Sequence, residues 1–412
     1  MCNSVEGVGH HLEVMQVRLA LKIAPWLIAT SLAAQTPLSR SAAIETALAR
    51  GARVAVAQTD TAIANAALIA ARALPNPTVS SSYSKSVPNW HLSADIPIDF
   101  PMLRGLRIRS AEVGLRAARL KLLFDRAMIA MEADTAYTRA VAAREKITLS
   151  RRNALDADSL LHMVERRRDA GDASDMDVEL ARVNDGQQTN LATDDSLTLV
   201  STLLDLQAAL GLAVDGVAIA PTDSLVAPPA AAIPAATSLD VESARFSVES
   251  ATLNTRLQHR SVWSQLSISP GVELGDPDQK GLLPTFGIGI GLPLFDRNRG
   301  PIAQAQAERA KAEAVLRLAE VDARNALAHA QRERENAVGK VARDRQLIAS
   351  ANRVEAMALT AYREGASSLS NVLDAQRTAR EVLSQYIDDL AAAWVATAEL
   401  RVFSYTQASI PP

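Results

Sequence analysis

Two stretches of this chain repeat one another. Gly171, Ser174, Val178 and Ala181 are answered, without a gap, by Gly365, Ser368, Val372 and Ala375. Upstream, the run from Pro97 to Gly105 is answered by the run from Pro293 to Gly300, with one residue slipped between them. Long helical runs flank both copies. Each copy reads helix, two strands, long helix, turn, long helix. A duplication of this kind decides architecture before any single residue does.

The boundaries read as an N-terminal extension and signal peptide over 1–34, a first repeat over 35–217, a linker over 218–236 and a second repeat over 237–412. Arg18 and Lys22 precede a short apolar run, Ile23–Ala29, and small residues reach a plausible cleavage site near Ala33 or Ala34. Met15 looks like the natural start of that leader, and Cys2 lies before it. The leader is too short to span a bilayer, and no other apolar stretch of about 20 residues is read. If the chain enters a membrane, strands carry it.

Composition narrows the choice further. Hydrophobic residues make up 48% of the 412, but aromatics only 4%. The apolar content is therefore mainly Ala, Leu and Val, which suits close helix packing better than a large globular core. Net charge is −3 with both signs interspersed, so no nucleic-acid partner is expected. One cysteine excludes internal disulfides and thiolate clusters.

In the first repeat, Ser39–Ala73 reads as one Ala-rich helix, stopped by Pro75 and Pro77. Thr78–Ser84 and His91–Ile98 read as a β-hairpin. A helical stretch of roughly 100 Å follows from Leu103 to Asp169, with one expected break near Leu149–Ser150. Gly171 suits the left-handed position past a helix end. Ser174 and Asp177 suit a capping box at the start of the return. In the second repeat the strands read as Gln265–Leu274 and Thr285–Leu294. In the latter, Phe286, Ile288, Ile290 and Leu292 alternate with glycines, as expected where one face meets lipid.

Four strands cannot close a barrel, and open edges are not tolerated in lipid. Two Ala-rich helix pairs without a wide apolar stripe cannot form a compact core alone. Both shortfalls vanish if several copies share one barrel and one helical tube. The leader would place the tube in the periplasm and the barrel in an outer membrane.

The chain resembles the TolC-like outer-membrane efflux proteins over nearly its whole mature length. The twin turns carry the resemblance, above all Tyr362-Arg363-Glu364-Gly365 leading into Val372-Leu373-Asp374-Ala375-Gln376. The corner Pro293–Gly300 is similar to the heavy-metal-efflux branch. The resemblance implies a mainly α fold with a small transmembrane β portion: a homotrimer with a 12-stranded barrel and an α-helical tunnel. It also implies docking to a periplasmic adaptor (membrane fusion protein) and an inner-membrane pump of the RND type, with heavy-metal cations as cargo.

By the same resemblance, Asp374 and Asn371 stand where acidic rings narrow the periplasmic mouth. Asp374 keeps the charge and Asn371 does not; one ring of three carboxylates would still favour cations. Tyr362 stands where a hydroxyl latches the tips shut. The usual basic partner has no equivalent at Ser367, leaving Arg363 nearby. Gly171, Ser174, Gly365 and Ser368 are expected to shape the tips that meet the adaptor. Capping, helix-dipole and packing roles would account for the same residues.

No metal set is read. The six histidines are scattered without a spaced pair in the mature chain, and Met128 and Met131 read as helix packing. No phosphate loop and no nucleophile–base set appears, so neither cofactor nor catalysis is expected. A type I secretion outlet or a drug-efflux outlet would share this pattern. A periplasmic coiled-coil adaptor normally carries one hairpin, not two units.

Overall fold

The computed structural model describes residues 36–99, 101–212, 219–230, 238–263, 266–279, 281–292 and 294–403. The expected leader, Phe100 and Pro293 lie outside them.

The duplication is visible in space. The first repeat runs α2 (Ala52–Arg72), β2 (Thr78–Tyr83), β3 (Trp90–Pro97), α3 (Pro101–Asp169) and α4 (Asp175–Ala209). The second runs α5 (Leu239–Arg260), β5 (Leu266–Leu274), β6 (Leu283–Ile290), α6 (Arg299–Arg363) and α7 (Leu369–Val402). Helices α3 and α6 have 69 and 65 residues, and α4 and α7 have 35 and 34. Each long helix packs on its own partner, α3 on α4 and α6 on α7, and α3 also touches α2, α5 and α7.

Four sequence readings need correction. The first helix is two: α1 (Arg40–Arg50) ends at Gly51, whose backbone is extended, and α2 begins directly after it. A side chain at 51 would press on the Ala47 carbonyl at 2.5 Å. Helix α3 is unbroken at Leu149–Ser150, where the Ser150 hydroxyl donates back to the Ile147 carbonyl and stays inside the helix. The linker is not bare, because β4 (Ile219–Pro221) pairs in parallel with β1 (Thr36–Leu38). Finally, α2 is long and apolar enough to cross a membrane by length and composition. It lies along α3, tied by Arg72–Glu112 at 2.9 Å and by Arg53–Glu132.

The four longer strands form one antiparallel sheet in the order β2-β3-β5-β6, so β3 and β5 join the two repeats. Strand β6 starts earlier than read and stops at Ile290, opposite Leu266, where its partner begins. The register sorts most side chains by polarity, with Ser81 on the apolar face and Leu283 on the polar face as exceptions. Val79, Trp90, Leu92, Ile96, Ile268, Phe286, Ile288 and Ile290 fall on one face. Ser80, His91, Ser93, Asp95, Ser267, Ser269, Glu273 and Thr285 fall on the other, with Gly287 and Gly289. Hydrogen bonds knit the polar face: Ser80–Ser93 at 2.9 Å, Ser269 to Asp95 at 2.8 Å and His91–Glu273 at 3.2 Å. The apolar face stays exposed, with Val79 at 71% and Phe286 at 69%.

At the other end of α1, a clasp holds the repeats together. The Asp134 carboxylate, 3% exposed, is gripped by Arg40 of α1 and by Arg401 of α7, the latter at 3.2 Å. The Arg40 guanidinium lies over Trp394 at 3.8 Å and Tyr137 at 5.4 Å. The Tyr137 hydroxyl reaches the Asp223 carboxylate at 2.7 Å and the Leu38 carbonyl at 2.9 Å. Around it pack Leu38, Ala43, Ala47, Ile129, Val141, Leu206 and Leu210. Removing one partner of a buried charged set is costly. Asp134→Ala is therefore expected to destabilise the chain by about 3 kcal/mol, read as a fall in melting temperature.

The Asp223 carboxyl is held below its usual range, first by the Tyr137 hydroxyl, then by the Arg40 amide and nearby guanidinium charges. A lowered folded pKa gives stability that is complete above the ordinary carboxylate value and lost as pH falls through the folded one. Below pH about 4, the melting temperature of Asp223→Asn is expected to fall less steeply than that of the wild type. Parallel curves would remove Asp223 from the clasp.

Candidate functional site

The twin turns end both helical hairpins, and local chemistry builds them alike. Gly171 has φ +85° and Gly365 has φ +73°. The amide of Asp172 bonds the Arg167 carbonyl at 2.8 Å, and that of Gly171 bonds Arg168 at 2.9 Å. Ala366 bonds Ala361 at 2.8 Å, and Gly365 bonds Tyr362 at 3.1 Å. Both turns are thus Schellman motifs, and the left-handed residue at each is glycine because a Cβ would be strained there.

The return helices then differ. In α4, Ser174 and Asp177 form the expected capping box. In α7, Ser368 makes no side-chain cap. Asn371, at the position of Asp177, donates its amide to Ser367 Oγ at 3.0 Å.

The turns pack against each other through Leu160, Val164, Val178, Tyr362, Leu369 and Val372. Tyr362 is central to this contact, but its partner is not Arg363, which is exposed. Arg167, at the end of α3, stacks its guanidinium 4.7 Å from the Tyr362 ring centre. The same guanidinium donates to the Tyr362 carbonyl. The Tyr362 hydroxyl is buried with no hydrogen-bond partner among the described residues, and burial pushes its pKa up. The tie between the turns therefore runs through the ring face and the backbone carbonyl.

Asp374 sits one turn beyond Asn371 on α7, and both are exposed. Asp374 lines an open groove of about 730 Å³ with Asn184 of α4, Asn153 of α3 and Arg380 of α7. Its ion pair with Arg377, at 3.5 Å, is exposed on both sides and adds little to stability. Gly171, Ser174, Gly365 and Ser368 are exposed on the turn surfaces. One chain thus brings Tyr362 and both turns into contact and leaves Asp374 and Asn371 facing solvent. Sequence reasoning missed Arg167, because nothing in the run Arg166-Arg167-Arg168 distinguishes the member that crosses to the other hairpin.

It also missed a cluster away from the turns. His329 and Glu333 stand four residues apart on α6, and Glu399 of α7 meets them. The i, i+4 spacing was legible; the third member comes from the helix pairing.

Residues 235–403 match the family described as outer membrane efflux protein. The second repeat is an outer membrane efflux protein domain. Over 371 residues, the chain is 24% identical to the cobalt-zinc-cadmium resistance protein CzcC of Cupriavidus metallidurans, covering 87% of this chain and 88% of that relative. The Campylobacter jejuni CmeC outer membrane channel superposes with a TM-score of 0.76 at 15% identity, covering 89% of this chain and 85% of that one. The outer membrane protein VceC of Vibrio cholerae gives 0.72 at 16%, covering 89% and 96%. These likenesses extend the efflux-channel fold to the first repeat.

The tie between the turns is open to test. Arg167→Ala is expected to cost about 2 kcal/mol, from a charged hydrogen bond and a cation–π contact. Tyr362→Phe removes an unsatisfied hydroxyl and is expected to hold stability or raise it by about 1 kcal/mol. A fall in melting temperature for Tyr362→Phe would return the tie to the hydroxyl.

Proposed function

We propose that the chain is one third of a passive outer-membrane exit duct in a tripartite efflux system. The observation that carries this is the sheet. It is apolar on one exposed face, polar on the other, and unpaired along β2 and β6 among the described residues. A strand pattern of this kind suits a barrel with lipid outside and water inside. Three copies supply twelve strands and leave no edge.

The helices support the same arrangement. Met176, Val183 and Leu191 of α4 and Leu318, Leu347 and Val354 of α6 are exposed in the single chain. Neighbouring chains would cover them and complete a periplasmic tunnel. The turns, with Gly171, Ser174, Gly365 and Ser368 on their surface, would meet the periplasmic adaptor, which connects to an inner-membrane pump. Asp374 would then form a ring of three carboxylates near the mouth, with Asn371 one turn away, favouring cations over anions. The relative's role in cobalt, zinc and cadmium resistance supports divalent metal cations as cargo.

Two measurements test this. Purified protein in planar bilayers is expected to conduct as a trimer, and multivalent cations are expected to block it from the side of the helical tips. Asp374→Ala is expected to weaken that block at least tenfold; equal block would remove the ring. A deletion strain is expected to become sensitive to zinc, cobalt or cadmium salts. Sensitivity to drugs alone, or loss of an exported protein, would assign the duct another cargo.

A further inference from the structure

We propose that His329, Glu333 and Glu399 form a divalent-cation site of zinc or cobalt type that bridges α6 and α7. One ligand atom from each lies within 4.8 Å of the other two. The imidazole Nδ1 already stands 3.3 Å from the Glu333 carboxylate. Tetrahedral bonds of about 2.1 Å place neighbouring ligands about 3.4 Å apart. Rotation of the two flexible Glu side chains would have to close the remaining distance, from up to 4.8 Å.

The chemistry selects the cation. One nitrogen and two carboxylates suit zinc, cobalt or nickel, while calcium and magnesium prefer all-oxygen sets. With three protein donors, positions stay open for water, so the cation is exchangeable. The charge balance points the same way. Glu399 is half-buried beside Glu333 and His329. A groove of about 590 Å³ opens beside His329 and Glu399. Asp240 and Asp322 also line it, and among the described residues no Lys or Arg does. Asp240 has Lys121 at 3.8 Å. Met128, Met131 and Phe124 form its apolar side. A cation there relieves repulsion between two carboxylates and ties α6 to α7.

The site does not rest on the export reading; a duct for any cargo could hold it. The test uses full-length protein in detergent, with any affinity tag removed and metals stripped by chelation. Titration with Zn2+ is expected to show a site that His329→Ala abolishes and Glu399→Gln weakens at least tenfold. Co2+ at the same site is expected to give visible absorption bands of a nitrogen–oxygen set, which vanish in His329→Ala. Ca2+ is expected not to compete. Glu399→Gln serves as the folding control: without metal it is expected to melt no lower than wild type, while losing the rise in melting temperature that Zn2+ gives. Zn2+ binding that is equal in wild type, His329→Ala and Glu399→Gln overturns the site, as does Ca2+ binding of equal strength.

Discussion

An amphipathic sheet of four strands has two edges that cannot stay open in hydrocarbon. Each unpaired amide or carbonyl there costs several kcal/mol, with no water to replace the missing bond. The chain sorts its side chains as a barrel wall does, yet β2 and β6 end the sheet. Closure by neighbours, as proposed, would meet that constraint and set the symmetry of the helices. The apolar side chains left exposed on α4 and α6 would be covered in the same assembly.

Joining the repeats is a separate physical problem; α3 packs on α5 and α7, and three further ties add to that packing. At the sheet, β3 pairs with β5. At the waist, Asp134 receives a guanidinium from each side, and Arg40 is stacked between two aromatic rings. At the turns, Arg167 crosses from the first hairpin to the ring and carbonyl of Tyr362. The first tie is backbone pairing. The other two rest on arginines whose donors fit a carboxylate or a carbonyl while their planes stack on rings. The turns hold together with a smaller apolar cluster than the waist.

Local chemistry was the legible part of the sequence. Glycine after a helix end and serine with aspartate three residues on specify the turns at Gly171 and Gly365 and the cap at Ser174, because each needs only near neighbours. The alternation through Phe286–Ile290 named the apolar face for the same reason. What escaped depends on partners distant in sequence. Ile219–Pro221 is too short to show a period and becomes a strand only beside Thr36–Leu38. Strand β6 ends at Ile290, which pairs with Leu266 of β5, a register that only the partner strand supplies. Arg167 and Glu399 acquire their roles from helix pairing. Gly51 was missed although the signal was local: the apolar spacing carried through it, but its own backbone leaves the helix.

The most direct check is whether β2 of one chain lies beside β6 of the next. With Cys2 replaced by Ser, single cysteines placed along β2 and β6 in the same chain, then oxidised in isolated outer membranes, read out that neighbourhood. A shared barrel gives covalent dimers and closed trimers for pairs in register, and only internal disulfides for pairs moved to the neighbouring β3 and β5. A chain that stays monomeric, is water-soluble without detergent, or forms only internal disulfides between β2 and β6 would contradict it.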